Sequence, residues 1–375
     1  MERSDIELRT RELGDLDVEP VVPAGVVRDT SPRLETPSVR RGPAPSVGGT
    51  VLRVGLGVAA LVVAIGVMTG TPAEYRVALG LVGAALVVSG FDRVLKRYVG
   101  PRVQTALVLS VVWLLLVALA AVFASFLPLS EARNPANTFT QPVLAAPDLF
   151  SRHPFGTDRQ GLDILGGIIY GFRVSLVVGV GAVSIGLMLG GAVGVAAGYY
   201  RKTADRVIDI FTNSMLAFPP LILLMGVAAV LPRNTRNITL ALAIISIPTY
   251  VRLARANTMV VAQREFVLAA RVLGAKNRRI IFRDIIPSVI VPLLSYAFVI
   301  VAVVIVAEAS LSFLGLSIPR PQPTLGNMIA AGQDQFQQHP HLVFIPASAL
   351  FLTVLALNRL GEAARRRLDP REAKI

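Results

Sequence analysis

Cysteine is absent from all 375 residues, which excludes disulfides, thiolate zinc sites and cysteine nucleophiles. Charge is scarce too: 16% of residues are Asp, Glu, Lys or Arg, against about 25% in an ordinary soluble domain. There are four lysines, Lys96, Lys202, Lys276 and Lys374, and none follows a glycine. A Walker A loop needs Gly-Lys followed by Ser or Thr, so the chain is expected to lack a P-loop and to hydrolyse no nucleotide itself. Three histidines leave no Ser/His/Asp arrangement that spacing can pick out. His153 stands beside Pro154, and His339 and His341 form a His-Pro-His with Asp334 as the nearby acid. A plain loop pair is favoured there over weak metal binding. No catalytic residue, metal site or cofactor is expected in this chain.

Apolar residues are what the sequence has in excess. They make up 53% of the chain, the mean hydropathy is +0.62, and they fall in long runs that suit lipid better than a soluble core. Eight stretches stand out: Val51–Gly70, Val77–Gly90, Leu107–Leu127, Val174–Gly198, Ile208–Leu231, Ile238–Val251, Val289–Phe313 and Leu342–Leu357. A helix needs roughly 20 residues to cross the hydrocarbon core, so the shorter stretches must borrow flanking residues. The expected fold is an all-α polytopic membrane protein with about eight transmembrane helices. Residues 1–50, with six prolines, nine acidic and seven basic residues, have the composition of a disordered cytoplasmic tail. They begin with no charged segment followed by an apolar one, so a cleavable signal is not expected. A docking segment is the other reading of this tail.

The formal net charge of +13 could point to nucleic acid or to topology. With the amino terminus inside, the expected inside segments hold 28 Lys and Arg and the outside segments 8. That asymmetry matches the positive-inside rule for eight spans with both termini cytoplasmic. Topology accounts for the charge, and no nucleic-acid partner is expected.

Two spans carry unusual patterns. Gly186, Gly190, Gly194 and Gly198 recur every four residues, placing four glycines along one stripe of a helix. Such a stripe lets another backbone approach closely, with coincidence as the competing reading. If the stripe packs against a second subunit, replacing Gly190 or Gly194 with Leu should impair subunit assembly. Pro219-Pro220 removes two backbone donors and should kink or break its helix. The bend reads either as a hinge lining a pathway or as a plain structural kink. Ionisable residues within the spans are few. Asp209 lies near the inner end of its helix and Glu308 near the outer end of another, so proton-coupled transport is disfavoured.

Residues 252–286 separate two spans and hold eight basic residues. Within them, residues 264–274 read as a short helix, with Glu265 in the first turn, where the dipole favours an anion. Gly274 is a natural residue to end it. Glu265, Ala269 and Leu273 share one face. That face could seat in a partner's groove or lie on the membrane surface, and the residues alone leave both open.

Glu265, Ala269-Ala270, Gly274, Ile281 and Ile285-Ile286-Pro287 resemble the EAA loop of permeases in binding-protein-dependent ABC importers. Phe266, Val267 and Leu268 separate Glu265 from the alanine pair, a departure similar to the spacing of the peptide-permease branch. His153-Pro154-Phe155-Gly156-Thr157-Asp158, with Gly161, Asp163, Tyr170-Gly171, Arg173 and Ser175-Leu176, looks like that branch's segment leading into a core helix. Glu308-Ala309-Ser310-Leu311-Ser312-Phe313-Leu314-Gly315-Leu316 is similar to the end of its fifth core span. Asn358, Gly361 and Asp369-Pro370 are similar to its tail.

The resemblance implies a dipeptide/oligopeptide (or nickel) C-type permease subunit of the bacterial inner membrane, working with a homologous permease subunit, two ATPase subunits and an extracytoplasmic solute-binding protein. It places ATP and Mg on the ATPase partners and implies that residues 265–274 dock on them. The implied organisation is a tail (1–50), an additional hairpin (51–100), a six-helix permease core (101–360) and a cytoplasmic tail (361–375). An ion-gradient-driven secondary carrier is the alternative from another class, and a non-transporting membrane scaffold is a third.

Overall fold

The structure, a computed structural model, describes residues 55–60, 79, 82–83, 85–93, 104–127, 138, 141–148 and 151–368. The expected tail, parts of the first two expected spans and residues 369–375 lie outside the described residues. Of the amino-terminal hairpin, residues 55–60 and 85–93 are helical. A Cβ on Gly57 would lie 2.8 Å from the Gly83 carbonyl oxygen and from Val87, so the two pieces meet closely there.

Nine helices follow among the described residues: α1 Thr105–Phe123, α2 Ile164–Tyr200, α3 Lys202–Ala217, α4 Pro220–Val230, α5 Thr235–Val261, α6 Glu265–Val272, α7 Asn277–Phe313, α8 Leu325–Gly332 and α9 His341–Leu368. Strands are absent among these residues, with one isolated bridge between Thr157 and Asp163. Five helices (α1, α2, α5, α7 and α9) are long and apolar enough to cross a membrane. The pair α3 and α4, bent by 88°, is apolar enough together to form either one broken span, which would make six, or a re-entrant loop.

The helices start where side chains can satisfy free backbone donors. Asp163 accepts from the Gly166 N–H at the head of α2 (2.7 Å), and Asn234 accepts from the Asn237 N–H at the head of α5 (2.9 Å). At the head of α8, Thr324 and Asn327 cap one another reciprocally, as a capping box does. Pro220 opens α4 at its first position, where a missing N–H costs no hydrogen bond.

Several spans are longer than hydropathy suggests. The helix expected to begin at Val174 begins at Ile164, the one expected at Val289 begins at Asn277, and the one expected to stop at Val251 continues to Val261. Each extension carries at least one arginine (Arg173 alone in α2, more than one in α5 and in α7), a residue that lowers hydropathy without opposing helix formation. Near its start α7 widens into one π turn over Ile281–Ile285. Pro287 follows, and a regular α turn would press its ring against the Arg283 carbonyl.

The core gathers around α2, α5 and α7, with Tyr250, Leu242, Ile305 and Leu311 fully buried. A second cluster joins α1, the start of α2, α8 and α9. There Trp113 donates to the Thr353 hydroxyl (3.1 Å) and meets Phe172 edge-on at 6.2 Å.

Candidate functional site

At one end of the bundle α5 turns directly into α6. The Ala262 N–H donates to the Thr258 carbonyl (2.8 Å) and the Arg264 N–H to the Val261 carbonyl (3.0 Å), so the joint is a hydrogen-bonded turn. Gly274, at φ +77°, closes α6. Its N–H donates to the Arg271 carbonyl, and the Ala275 N–H to the Ala270 carbonyl, both at 3.0 Å. These two bonds make a Schellman cap, whose left-handed residue glycine adopts without penalty.

The helix has one anchored face and one open face. Val267 is fully buried, and Ala270 turns inward to pack with the same cluster. Arg271 lies over the Tyr199 ring, 5.2 Å from its centroid, and the Tyr199 hydroxyl donates to Asn277 (2.9 Å). These contacts tie α6 to the ends of α2 and α7. Glu265, Ala269 and Leu273 are exposed, with Val272 at 87% and Leu273 at 86% exposure. Of the residues singled out on this helix, Ala270 alone belongs to the anchored face.

The glycine stripe lies elsewhere, inside the molecule. All four glycines are buried and face α5, which runs parallel to α2. A Cβ on Gly186 would come within 2.7 Å of Ser246. On Gly190 and Gly194 it would lie 2.5 Å from the carbonyl oxygens of Ile247 and Val251, and on Gly198 2.7 Å from that of Arg255. Where a second subunit was expected against the stripe, the approaching backbone is the chain's own α5. The physical reason is the matched four-residue step of two parallel helices, which brings backbone to backbone along the Gly186–Gly198 stripe.

Pro219-Pro220 sits at the 88° break between α3 and α4. Phe218, Pro219 and Pro220 are all exposed on the single chain. Alongside, Arg255 of α5 pairs with Asp205 and Asp209 of α3. Arg252 donates to Asn213 (3.0 Å). By charge alone Arg252 and Arg255 are simply two of the eight basic residues in 252–286 that mark the inner side. A signal was present in Asp205, Asp209 and Asn213, spaced to lie on one helix face.

At the opposite end, His153 is buried between Asp163 (Nδ1 to Oδ1, 3.3 Å) and Gln141 (Nε2 to Oε1, 3.1 Å). The segment resembling the entry to a core helix is therefore a hydrogen-bonded plug at the head of α2. Beside it opens a cavity of about 720 Å³, lined by Asp158, Asp163, Arg320, Asn327 and Asp334 among others. Glu308, placed near a helix end by the sequence, is fully buried and accepts from the Ser317 hydroxyl (3.1 Å). No group of three or more His, Asp or Glu side chains suited to a metal ion occurs among the described residues. His339 and His341 stack edge-on, 5.8 Å apart.

Residues 190–374 match the family model of the binding-protein-dependent transport system inner membrane component. The chain is 38% identical over 221 residues to the glutathione transport system permease protein GsiD of Pectobacterium atrosepticum, covering 59% of this chain and 73% of the relative. It is 35% identical over 263 residues to the dipeptide transport system permease protein DppC of Alkalihalophilus pseudofirmus, covering 70% and 86%. A GsiD of Escherichia coli is 36% identical over 270 residues, covering 72% and 88%.

Proposed function

The chain belongs to the family of binding-protein-dependent transport system inner membrane components, and on that premise we propose that it is the permease subunit of an ATP-driven importer of di- or oligopeptides. The relatives named for dipeptide and glutathione transport support the substrate class, glutathione being itself a peptide. ATP hydrolysis falls to two ATPase subunits, which also hold the ATP and Mg. A homologous permease subunit completes the pathway, and an extracytoplasmic solute-binding protein delivers the peptide. Both termini face the cytoplasm, following the distribution of Lys and Arg.

The observation that carries this reading is α6, a short helix anchored by Val267 that presents Glu265, Ala269 and Leu273 outward. A helix held on one side and bare on the other can receive force from a docked partner and pass it into the bundle. Ala269 is the small residue that lets a groove close over that face. The bend at Pro219-Pro220 fits a pathway role for a related reason. The last turn of α3 leaves carbonyls without helical partners, and lipid cannot supply donors for backbone at membrane depth. A second permease subunit or an aqueous path can.

Purification of the tagged chain in mild detergent tests this directly. A second permease and an ATPase subunit should copurify, and vesicles holding the assembly should take up a dipeptide only with ATP and binding protein present. Isolation without any ATPase, or uptake driven by an ion gradient alone, would defeat the reading.

A further inference from the structure

A polar ladder joins α3 to α5. On α3, Asp205, Asp209 and Asn213 lie four residues apart on one face, and on α5 Arg252 and Arg255 face them. The Arg255 guanidinium reaches both oxygens of Asp205, through Nε to Oδ1 and through Nη2 to Oδ2 at 2.9 Å, and its Nη1 donates to Asp209 Oδ1 at 2.7 Å. Asn213 closes the set, donating to Asp209 Oδ2 (3.1 Å) and accepting from Arg252 Nη2 (3.0 Å). Three guanidinium N–H groups are thus engaged in a fixed plane, a geometry that a lysine ammonium cannot reproduce.

Apolar packing holds α3 only weakly, because Val207, Ile210 and Phe211 are each more than 60% exposed. The ion pairs are therefore the firm link between α3 and the bundle. Their position gives that link a consequence. Arg255 lies less than two turns before the end of α5, which passes through the hydrogen-bonded turn at Ala262–Arg264 into α6. From the far end of α3 the chain enters the break at Phe218-Pro219. At the near end Arg201, at φ 52°, reverses the chain from α2 and donates to the Met259 carbonyl of α5 (3.3 Å).

We propose that Arg255, by gripping Asp205 and Asp209, is the positioning residue that makes α3 follow α5, so that a displacement of α6 reaches the bend at Pro219-Pro220. The role rests on the reading of α6 as the ATPase-docking helix. Without the grip, α6 and α5 can still move with the ATPase, but α3 is free to lag. Hydrolysis then continues while the pathway fails to open in step.

The test uses the complete assembly in proteoliposomes, with peptide uptake and ATP hydrolysis measured together. Arg255→Gln should keep its ATPase and hydrolyse ATP, while peptide moved per ATP falls by about tenfold, a common size for coupling between sites. Arg255→Lys should fall nearly as far, because charge without the planar fork is not enough. A second measurement does not depend on how these variants fold. This chain has no cysteine of its own, so spin labels can be placed at Val207→Cys on α3 and Val260→Cys on α5 with the ladder intact. Their separation should be the same in the nucleotide-free and ATP-trapped assembly. A changed separation, or wild-type uptake per ATP in Arg255→Gln, overturns the proposal. Failure of the docking reading appears separately, in the unmodified assembly, as loss of the ATPase or of ATP-driven uptake.

Discussion

The α2–α5 seam and the open face of α6 both depend on small residues, yet they do opposite things. In the seam, Gly190 and Gly194 are pressed against carbonyl oxygens so closely that a Cβ would come within 2.5 Å. On α6, Ala269 is exposed and meets none of its own chain's core. The lesson is that a small residue marks a close approach without naming what approaches. Inside the seam the neighbour is another helix of the same chain, and the contact is already spent on folding. On α6 the surface is still free for a partner. Substitutions at the two places should therefore fail in different ways.

The largest effect is expected at the seam. Leucines at both Gly190 and Gly194 have nowhere to go except into the α5 backbone, and overpacking of this kind costs several kcal/mol or prevents folding. The Gly190→Leu, Gly194→Leu chain should be lost or aggregated when purified alone, before any partner is involved. Normal size-exclusion behaviour of that chain would mean the seam can open, and the contrast with α6 would collapse.

Next comes Ala269→Trp. With the side chain outside the fold, the isolated chain should melt as the wild type does, since exposed substitutions usually change stability by less than about 0.5 kcal/mol. ATPase retention and uptake should nevertheless fall at least about tenfold, equivalent to roughly 1.4 kcal/mol of docking energy. Should both persist at wild-type levels, α6 is a surface helix and not a docking one.

The smallest effect belongs to Gly274, and it sharpens the comparison. A Cβ there meets nothing within 4 Å, so the only penalty is its φ of +77°. Gly274→Ala should cost about 1 kcal/mol and Gly274→Val somewhat more, because branching at Cβ disfavours this backbone region further. Hydrogen exchange of the Gly274 and Ala275 amides should rise in that order while the α2–α5 seam stays protected. Equal exchange in all three chains would show that the Schellman cap does not control the end of α6.

Much of this architecture is legible in the residues themselves. The proline pair announces the break between α3 and α4, since two adjacent residues without N–H groups cannot continue a helix. Glu265 and Gly274 bracket α6 because helix ends have local chemistry. The apolar runs mark the membrane-crossing helices, but their ends escape hydropathy. Arg252 and Arg255 look like loop residues by charge, and α5 absorbs them because Asp205, Asp209 and Asn213 lie opposite. His153 likewise looks isolated until the fold brings Gln141 and Asp163 to its two ring nitrogens.

By itself the sequence determined what depends on neighbours along the chain: the helical class, the broken span, the capped ends of α6 and the charge bias between loops. Only the tertiary structure decided that the glycine stripe faces α5 within the same chain, that Ala270 is anchored while Ala269 is open, and that Arg255 holds α3. The physical reason is range. Helix propensity, capping and hydropathy act within a turn or two of the residue that carries them, whereas the partners of Gly190 and Arg255 stand some fifty residues or more away and become neighbours only once the helices have packed.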